Sequence, residues 1–342
     1  MTLGRAEILE LLAANDVRPS RALGQNFVAD GNTVRRIVRL SGVGPGQRVV
    51  EIGAGLGSLT LALAEAGASV TAVEIDRHVL PVLRAQVEPV GVRVVEADAL
   101  TLDWPGLLDG PPSDRWSMVS NLPYNMAVPL VVRVLEEAPR VASLLVMVQR
   151  EVGERLVARV GDDAYGAVSV KVAYWATSAL VGRVPASVFI PRPRVESVLV
   201  RLDRHRADPA HPADPADPAD LADPAHPVDP AHPALPADPA DLADPADREA
   251  GGGSARDQRP DGPGSEHYDR LFSVVRAGFA HRRKMLRRSL DGTVVAEAYS
   301  AVGIRPTARA EELSLVEWER LAAWPGRPLT SEPLPPVTGS PR

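Results

Sequence analysis

Apolar residues along this chain fall into two alternating patterns. Short runs rich in Val and Ile, "QRVVEIG", "SVTAVEID", "VRVVEAD", "SMVSNLP" and "ASLLVMVQ", lie between Gln47 and Gln149. Stretches with helical spacing, "SLTLALAEAG" and "HVLPVLRAQVE", separate the first three. Runs whose apolar residues stand side by side rather than strictly alternating suit strands covered on both faces. The alternation therefore predicts an α/β fold, a parallel sheet clothed by helices, continuing to about Leu202. Near its end "ASVFIP" and "ESVLVRL" are joined by a short connection and predict an antiparallel pair.

The pattern then stops. Residues 207–247 are built from "DPA", "DPAD" and "AHPA" units. A proline at about every third position excludes helix and ladder pairing, and the low hydrophobicity excludes a core. A disordered Asp/Pro/Ala-rich linker is expected over 205–266. Its histidines (His205, His211, His226, His232) lack a fixed frame, so no metal site is expected. Helical spacing resumes at Leu271, Val274, Val275 and Phe279, and two further amphipathic stretches follow, with Thr307 or Ser314 as candidate caps. The expected organisation is an α/β domain over 1–204, the linker over 205–266, a small all-α domain over 267–326 and a disordered tail over 327–342.

Composition narrows the chemistry. The 342 residues include no Cys, which excludes disulfides, thiolate metal sites and cysteine nucleophiles. The opening "MTLGRAEILELLAANDV" carries acids without an apolar stretch, and no run approaches the roughly 18 apolar residues of a membrane span, so a cytoplasmic protein without membrane contact is expected. The net charge of −6 conceals an asymmetry: residues 205–266 hold 14 acids and 4 bases, leaving 34 bases against 30 acids elsewhere. A mildly basic body is compatible with a nucleic-acid partner.

The candidate chemistry begins at "VVEIGAGLGSLTLAL". Strand, glycine-rich turn and helix follow one another, and Gly53, Gly55 and Gly57 allow close backbone approach to a ligand. A dinucleotide fingerprint would need glycine where Ser58 stands, so a nucleoside ligand without a pyrophosphate, such as S-adenosylmethionine, suits the loop better. Glu74 ends the second strand, where a carboxylate can accept ribose hydroxyls, and Asp98 ends the third, placed to accept from an adenine amino group. Acids at strand ends often only cap the next helix. Two in succession beside such a loop favour a pocket.

The fourth strand opens into the same crevice through "SNLPYN". The Asn121 side-chain carbonyl and the Leu122 backbone carbonyl, stiffened by Pro123, supply two acceptors for the hydrogens of an exocyclic amine. Tyr124 supplies a stacking face. A proline turn with a capping Asn and a packed Tyr is the plainer alternative; the adjoining glycine loop favours the chemical one.

"LGQNFV", "EIGAGLGSLT", "VEID", "EADAL", "NLPYN", "FIPRPRVES" and "HRRKMLRRSL" stand in the order found in ribosomal RNA adenine dimethyltransferases. The chain resembles that family, and within it the KsgA/RsmA type, over nearly all its length outside 205–266 and the tail. The resemblance implies a Rossmann-like S-adenosylmethionine-dependent methyltransferase that dimethylates two adjacent adenines near the 3′ end of 16S rRNA in the small ribosomal subunit, acting as a monomer. It implies that Asn26 and Val28 close over the methyl donor, with Gly53, Gly55, Glu74, Asp98 and Asn121 completing the pocket. It also makes Phe189 the second face of a base sandwich with Tyr124; core packing is the alternative for Phe189, but Pro191 and Pro193 suit an exposed rigid loop.

Arg282, Arg283, Lys284, Arg287 and Arg288 are expected mostly on one side of a helix, where they would meet RNA phosphates. Two competing readings remain: a large-subunit 23S rRNA adenine methyltransferase of the macrolide-resistance type, and a non-catalytic small-subunit assembly factor.

Overall fold

The computed structural model describes residues 2–20, 23–111, 113–205, 261–282 and 284–324. The expected linker and tail lie almost entirely outside the described residues. Two compact units form, the first from the stretches 1–158 and 171–260, the second from 159–170 and 261–342.

The first unit is built on a seven-stranded sheet. Its strands are β2 (Arg48–Ile52), β3 (Ser69–Glu74), β4 (Arg93–Glu96), β5 (Trp116–Asn121), β6 (Val141–Gln149), β7 (Ala176–Val184) and β9 (Ser197–Arg204), in the order β4-β3-β2-β5-β6-β9-β7. From β4 to β6 every pairing is parallel. β9 runs antiparallel to both β6 and β7. The five runs read as strands are all strands. Val49, Val50, Glu51 and Ile52 of β2 are all buried, as expected for a strand covered on both faces.

The chain winds outward from β2 through β3 to β4, then returns to β5 on the other side of β2. That reversal opens a crevice at the carboxyl ends of β2 and β5, the place where α/β sheets bind ligands.

The antiparallel pair expected between "ASVFIP" and "ESVLVRL" does not form. β8 (Phe189–Ile190) instead pairs with β1 (Phe27–Val28) in a separate two-stranded ribbon. "ESVLVRL" pairs instead with β6 and with Ala176–Val184, whose mostly exposed or half-exposed residues carry no long apolar run for periodicity to detect. Arg204, ending β9, donates to the carbonyls of Val134, Leu135 and Ala138 at the end of the helix Ala127–Glu137. The Val134 and Ala138 carbonyls also accept from the N–H groups of Ala138 and Val141, so the guanidinium adds second donors at this helix end.

In the second unit, the helix Glu266–Ala280 starts on Ser265, whose Oγ accepts from the Tyr268 N–H. Its Gly278 lies beneath Trp318: a Cβ there would fall 2.5 Å from the indole. Of the two candidate caps, Ser314 is the one used, forming a reciprocal box with Glu317 at the head of the helix Leu315–Ala323. Residues 159–170 belong with these helices, which differs from the expected boundary at residue 204. Tyr165 donates its hydroxyl to the Leu313 carbonyl at 2.9 Å and meets the Phe279 ring edge-on.

No helix among the described residues is long and apolar enough to cross a membrane. Among the same residues no group of three or more His, Asp or Glu is arranged to hold a metal ion.

Candidate active site

A cavity of about 270 Å³ occupies the crevice where the sheet reverses. One wall is formed by Gly53–Leu56 of the loop that runs from Gly53 to Gly57, between β2 and the helix Ser58–Glu65. All three glycines of that loop have positive φ, at 72°, 56° and 87°, a conformation that explains their identity. A Cβ on Gly57 would meet Val87 at 2.7 Å, so the third glycine serves helix packing as well.

Glu74 ends β3 and is 6 % exposed. Its Oε2 accepts from the Gly55 N–H at 2.8 Å, and its Oε1 accepts from the N–H groups of Ile75 and Asp76. The carboxylate therefore holds the glycine loop in shape while lining the cavity. Burial pushes its pKa up, against the three backbone donors that favour the charged form.

Glu51 of β2, in register with Ala72 of β3, also lines the cavity. Burial raises its pKa to about 8, opposed by the Thr60 hydroxyl, which donates to it at 2.6 Å. It is mostly a neutral acid at pH 7. The sequence marks Glu51 only as an acid before glycines; its pairing with Thr60, nine residues on, has no motif signature.

Asp98 is half-buried at the end of the third parallel strand. Its Oδ1 accepts from the Leu100 N–H at 2.9 Å, the bond of a local cap, and its Oδ2 makes no hydrogen bond among the described residues. The capping reading and the pocket reading both apply.

The segment 23–28 forms the cavity's cover. Asn121 Nδ2 donates to the Asn26 carbonyl at 2.9 Å, which leaves Asn121 Oδ1 without a partner among the described residues. Gln25 Nε2 donates to Asp76 Oδ2 at 2.7 Å, tying the segment to the turn after β3. Neither contact is encoded in local spacing; Asn121 and Asn26 are 95 residues apart.

All seven expected cofactor residues line this cavity, as do Leu122, Pro123 and Tyr124. Tyr124 is half-buried, with its hydroxyl 3.0 Å from Ser197 Oγ. Phe189 is different. It is 1 % exposed, packed in the core of the first unit, and absent from the cavity wall. The exposed-loop reading of its flanking prolines is overturned for Phe189, because pairing with Val28 draws it under the cover segment.

The basic cluster needs correction too. The helix ends at Ala280, and only a short helix, Leu286–Ser289, follows. Arg282 and Lys284 lie in the turn between them, so the cations do not share one helical face. Arg282 pairs with Glu311 at 2.7 Å and donates to the Asp163 carbonyl at 2.6 Å. Lys284, Arg287 and Arg288 are exposed and form no ion pair among the described residues. Arg283 lies outside the described residues.

Comparison with known proteins agrees with this arrangement. The model of the ribosomal RNA adenine dimethylase family matches residues 18–215. Ribosomal RNA small subunit methyltransferase A of Leifsonia xyli subsp. xyli is 38 % identical over 332 residues, covering 94 % of this chain and 98 % of the relative. The protein of the same name from Nocardia farcinica is 39 % identical over 336 residues and 94 % of each chain. Among solved structures, a dimethyladenosine transferase from Plasmodium falciparum superposes with a TM-score of 0.58 at 18 % identity, covering 85 % of this chain and 94 % of that one. The 23S rRNA methyltransferase ErmE gives 0.55 at 23 % identity, covering 86 % and 98 %. These two share the Rossmann-like methyltransferase fold. With a family model spanning more than half its residues and relatives aligned almost end to end, the chain belongs to the ribosomal RNA adenine dimethylase family.

Proposed function

We propose that this protein transfers methyl groups from S-adenosylmethionine to the exocyclic amino groups of two adjacent adenines near the 3′ end of 16S rRNA in the small ribosomal subunit. The observation that carries the reading is Asn121. Its amide nitrogen is committed to the Asn26 carbonyl, so its Oδ1 is held as an acceptor at the cavity wall.

The residues present fit the methyl donor. The glycine loop leaves bare backbone along one wall, and Asp98 Oδ2 is an uncommitted acceptor for an adenine amino group. Glu74 Oε2 accepts a single backbone bond and retains capacity for a ribose hydroxyl. When bound, S-adenosylmethionine supplies an electrophilic methyl group on a sulfonium.

The chain's own residues supply the rest. An aromatic amino nitrogen is a poor nucleophile because its lone pair is delocalised into the ring. Asn121 Oδ1 and the Leu122 carbonyl accept its two hydrogens and favour a more tetrahedral nitrogen. Both acceptors bind a developing ammonium better than a neutral amine, so they favour the transition state. Tyr124 offers a face for the flipped base, offsetting part of the unstacking cost of a few kcal/mol. No strong general base is needed, since the product nitrogen's proton is acidic enough to leave afterwards.

The test is methyl transfer from labelled S-adenosylmethionine to undermethylated small subunits, large subunits and naked RNA, read by nucleoside mass spectrometry. Dimethyladenosine on small subunits alone is the expected result. Product on large subunits would reassign the substrate, and binding without product would leave an assembly factor.

A further inference from the structure

Tyr124 lies in the turn between β5 and the helix Ala127–Glu137, so its backbone belongs to neither. A ring on a turn is a poor stacking platform unless something fixes its torsions. Here the fixing contact is its hydroxyl, 3.0 Å from Ser197 Oγ, the one hydrogen bond its side chain makes among the described residues. Because the hydroxyl oxygen lies on the Cβ–Cγ axis, holding it fixes χ1 and so the place the ring occupies.

Ser197 is a firm anchor. It is 0 % exposed and opens β9, the strand with a neighbour on each side. Its backbone stands opposite Gln149 of β6 and Val184 of β7. Burial alone does not force this pairing, since the buried hydroxyl of Ser58 in the same unit has no partner. Burial also pushes the Tyr124 phenol above its ordinary pKa, so the group stays neutral and able to donate.

We propose that Ser197 is a positioning residue for the acceptor base: its hydroxyl holds the Tyr124 ring in the place where it receives the flipped adenine. The proposal rests on the functional reading above. It separates the two polar ends of the site, because Ser197 acts on the acceptor and leaves the methyl donor alone. Preorganisation of this kind improves acceptor use by removing torsional freedom before binding.

The test compares wild type, Ser197→Ala, Tyr124→Phe and the double variant. Three quantities are read: kcat/KM for undermethylated small subunits at saturating S-adenosylmethionine, calorimetric Kd for S-adenosylmethionine, and thermal midpoint. Each single variant is expected to lose roughly five- to tenfold in kcat/KM, the scale of one hydrogen bond. The double variant should lose no more than either single one, and the donor Kd should stay within about twofold of wild type. Additive losses would overturn the proposal, as would a donor Kd that moves in step with kcat/KM and the thermal midpoint. Should Ser197→Ala fail to fold, Tyr124→Phe removes the same bond from the less buried side, and an unchanged kcat/KM there overturns the proposal alone. A wild type inactive on every RNA substrate would overturn the functional reading itself, before any variant is compared.

Discussion

Phe27 packs its ring against the bare backbone of Gly55, so closely that a Cβ on Gly55 would lie 2.9 Å from ring Cε1. The cover segment and the glycine loop thus meet where a side chain on the loop would push them apart. Gly55 also has a φ of 56°, which costs an L-residue about 1–2 kcal/mol. Gly55→Ala should therefore destabilise the first unit and weaken S-adenosylmethionine binding at least about tenfold. Calorimetric titration of the purified variant, checked against its thermal midpoint, measures both effects.

Asn121→Ala removes an acceptor and frees the Asn26 carbonyl. Loss of a comparable preorganised group lowers turnover by about 10²–10³. The expected result is a fall of that size in methyl transfer, with a much smaller change in donor affinity. Single-turnover assays at saturating donor distinguish the two; a variant with near-normal turnover would remove Asn121 from the chemistry.

Phe189 separates packing from stacking. Because it is buried against the cover segment, Phe189→Ala should cost about 3–5 kcal/mol through the cavity it leaves. Phe189→Leu keeps most of the volume and loses the aromatic face. If stacking needs this ring, the Leu variant will be stable yet poorly active on RNA; if the ring only packs, it will be nearly normal in both. Denaturant melts and transfer assays on both variants decide the matter.

Glu51 gives the pH dependence a sign. Its folded-state pKa of about 8 lies above the ordinary carboxylate value, so between about 4.5 and 8 the folded protein holds more protons than the unfolded chain. Stability must then fall as pH rises through that window and level off above it. Glu51→Gln keeps an acceptor for Thr60 and removes the titration. Urea unfolding between pH 5 and pH 9 should show a shallower decline for Glu51→Gln than for wild type.

The basic cluster divides by partner. Lys284→Ala, Arg287→Ala and Arg288→Ala should each weaken RNA binding about equally across sequences, and removing a cation that meets a phosphate should reduce the log–log salt slope by about one. Arg282→Ala should instead lower the thermal midpoint, because that guanidinium holds the Asp163 carbonyl and Glu311. Fluorescence titrations at several salt concentrations, set beside melting curves, test the division.

Candidate residues that stand close together in the chain also meet in space. Gly53 and Gly55, the acids at two strand ends and Asn121–Tyr124 all line one cavity, because parallel strands deliver their carboxyl ends to one edge. What escaped was pairing across distance. The ribbon of Phe27–Val28 with Phe189–Ile190 joins two-residue strands too short to show a period. Ala176–Val184 shows no period because its interior residues are exposed or half-exposed without strict alternation, a composition like that of a loop. The basic cluster was misplaced because cation spacing says nothing about where a helix stops.

The assignment of residues 159–170 to the second unit has a consequence for anyone dividing this protein. The polypeptide enters that unit, leaves it, and returns after residue 260. A fragment beginning at 261 would lack Tyr165, the residue that fills the space beside Phe279 and bonds the Leu313 carbonyl. A fragment ending at 260 would carry the same tyrosine with neither partner. Two-part expression should therefore yield pieces that are each incomplete, and a single cut within 206–260 should leave halves that still share one folded unit.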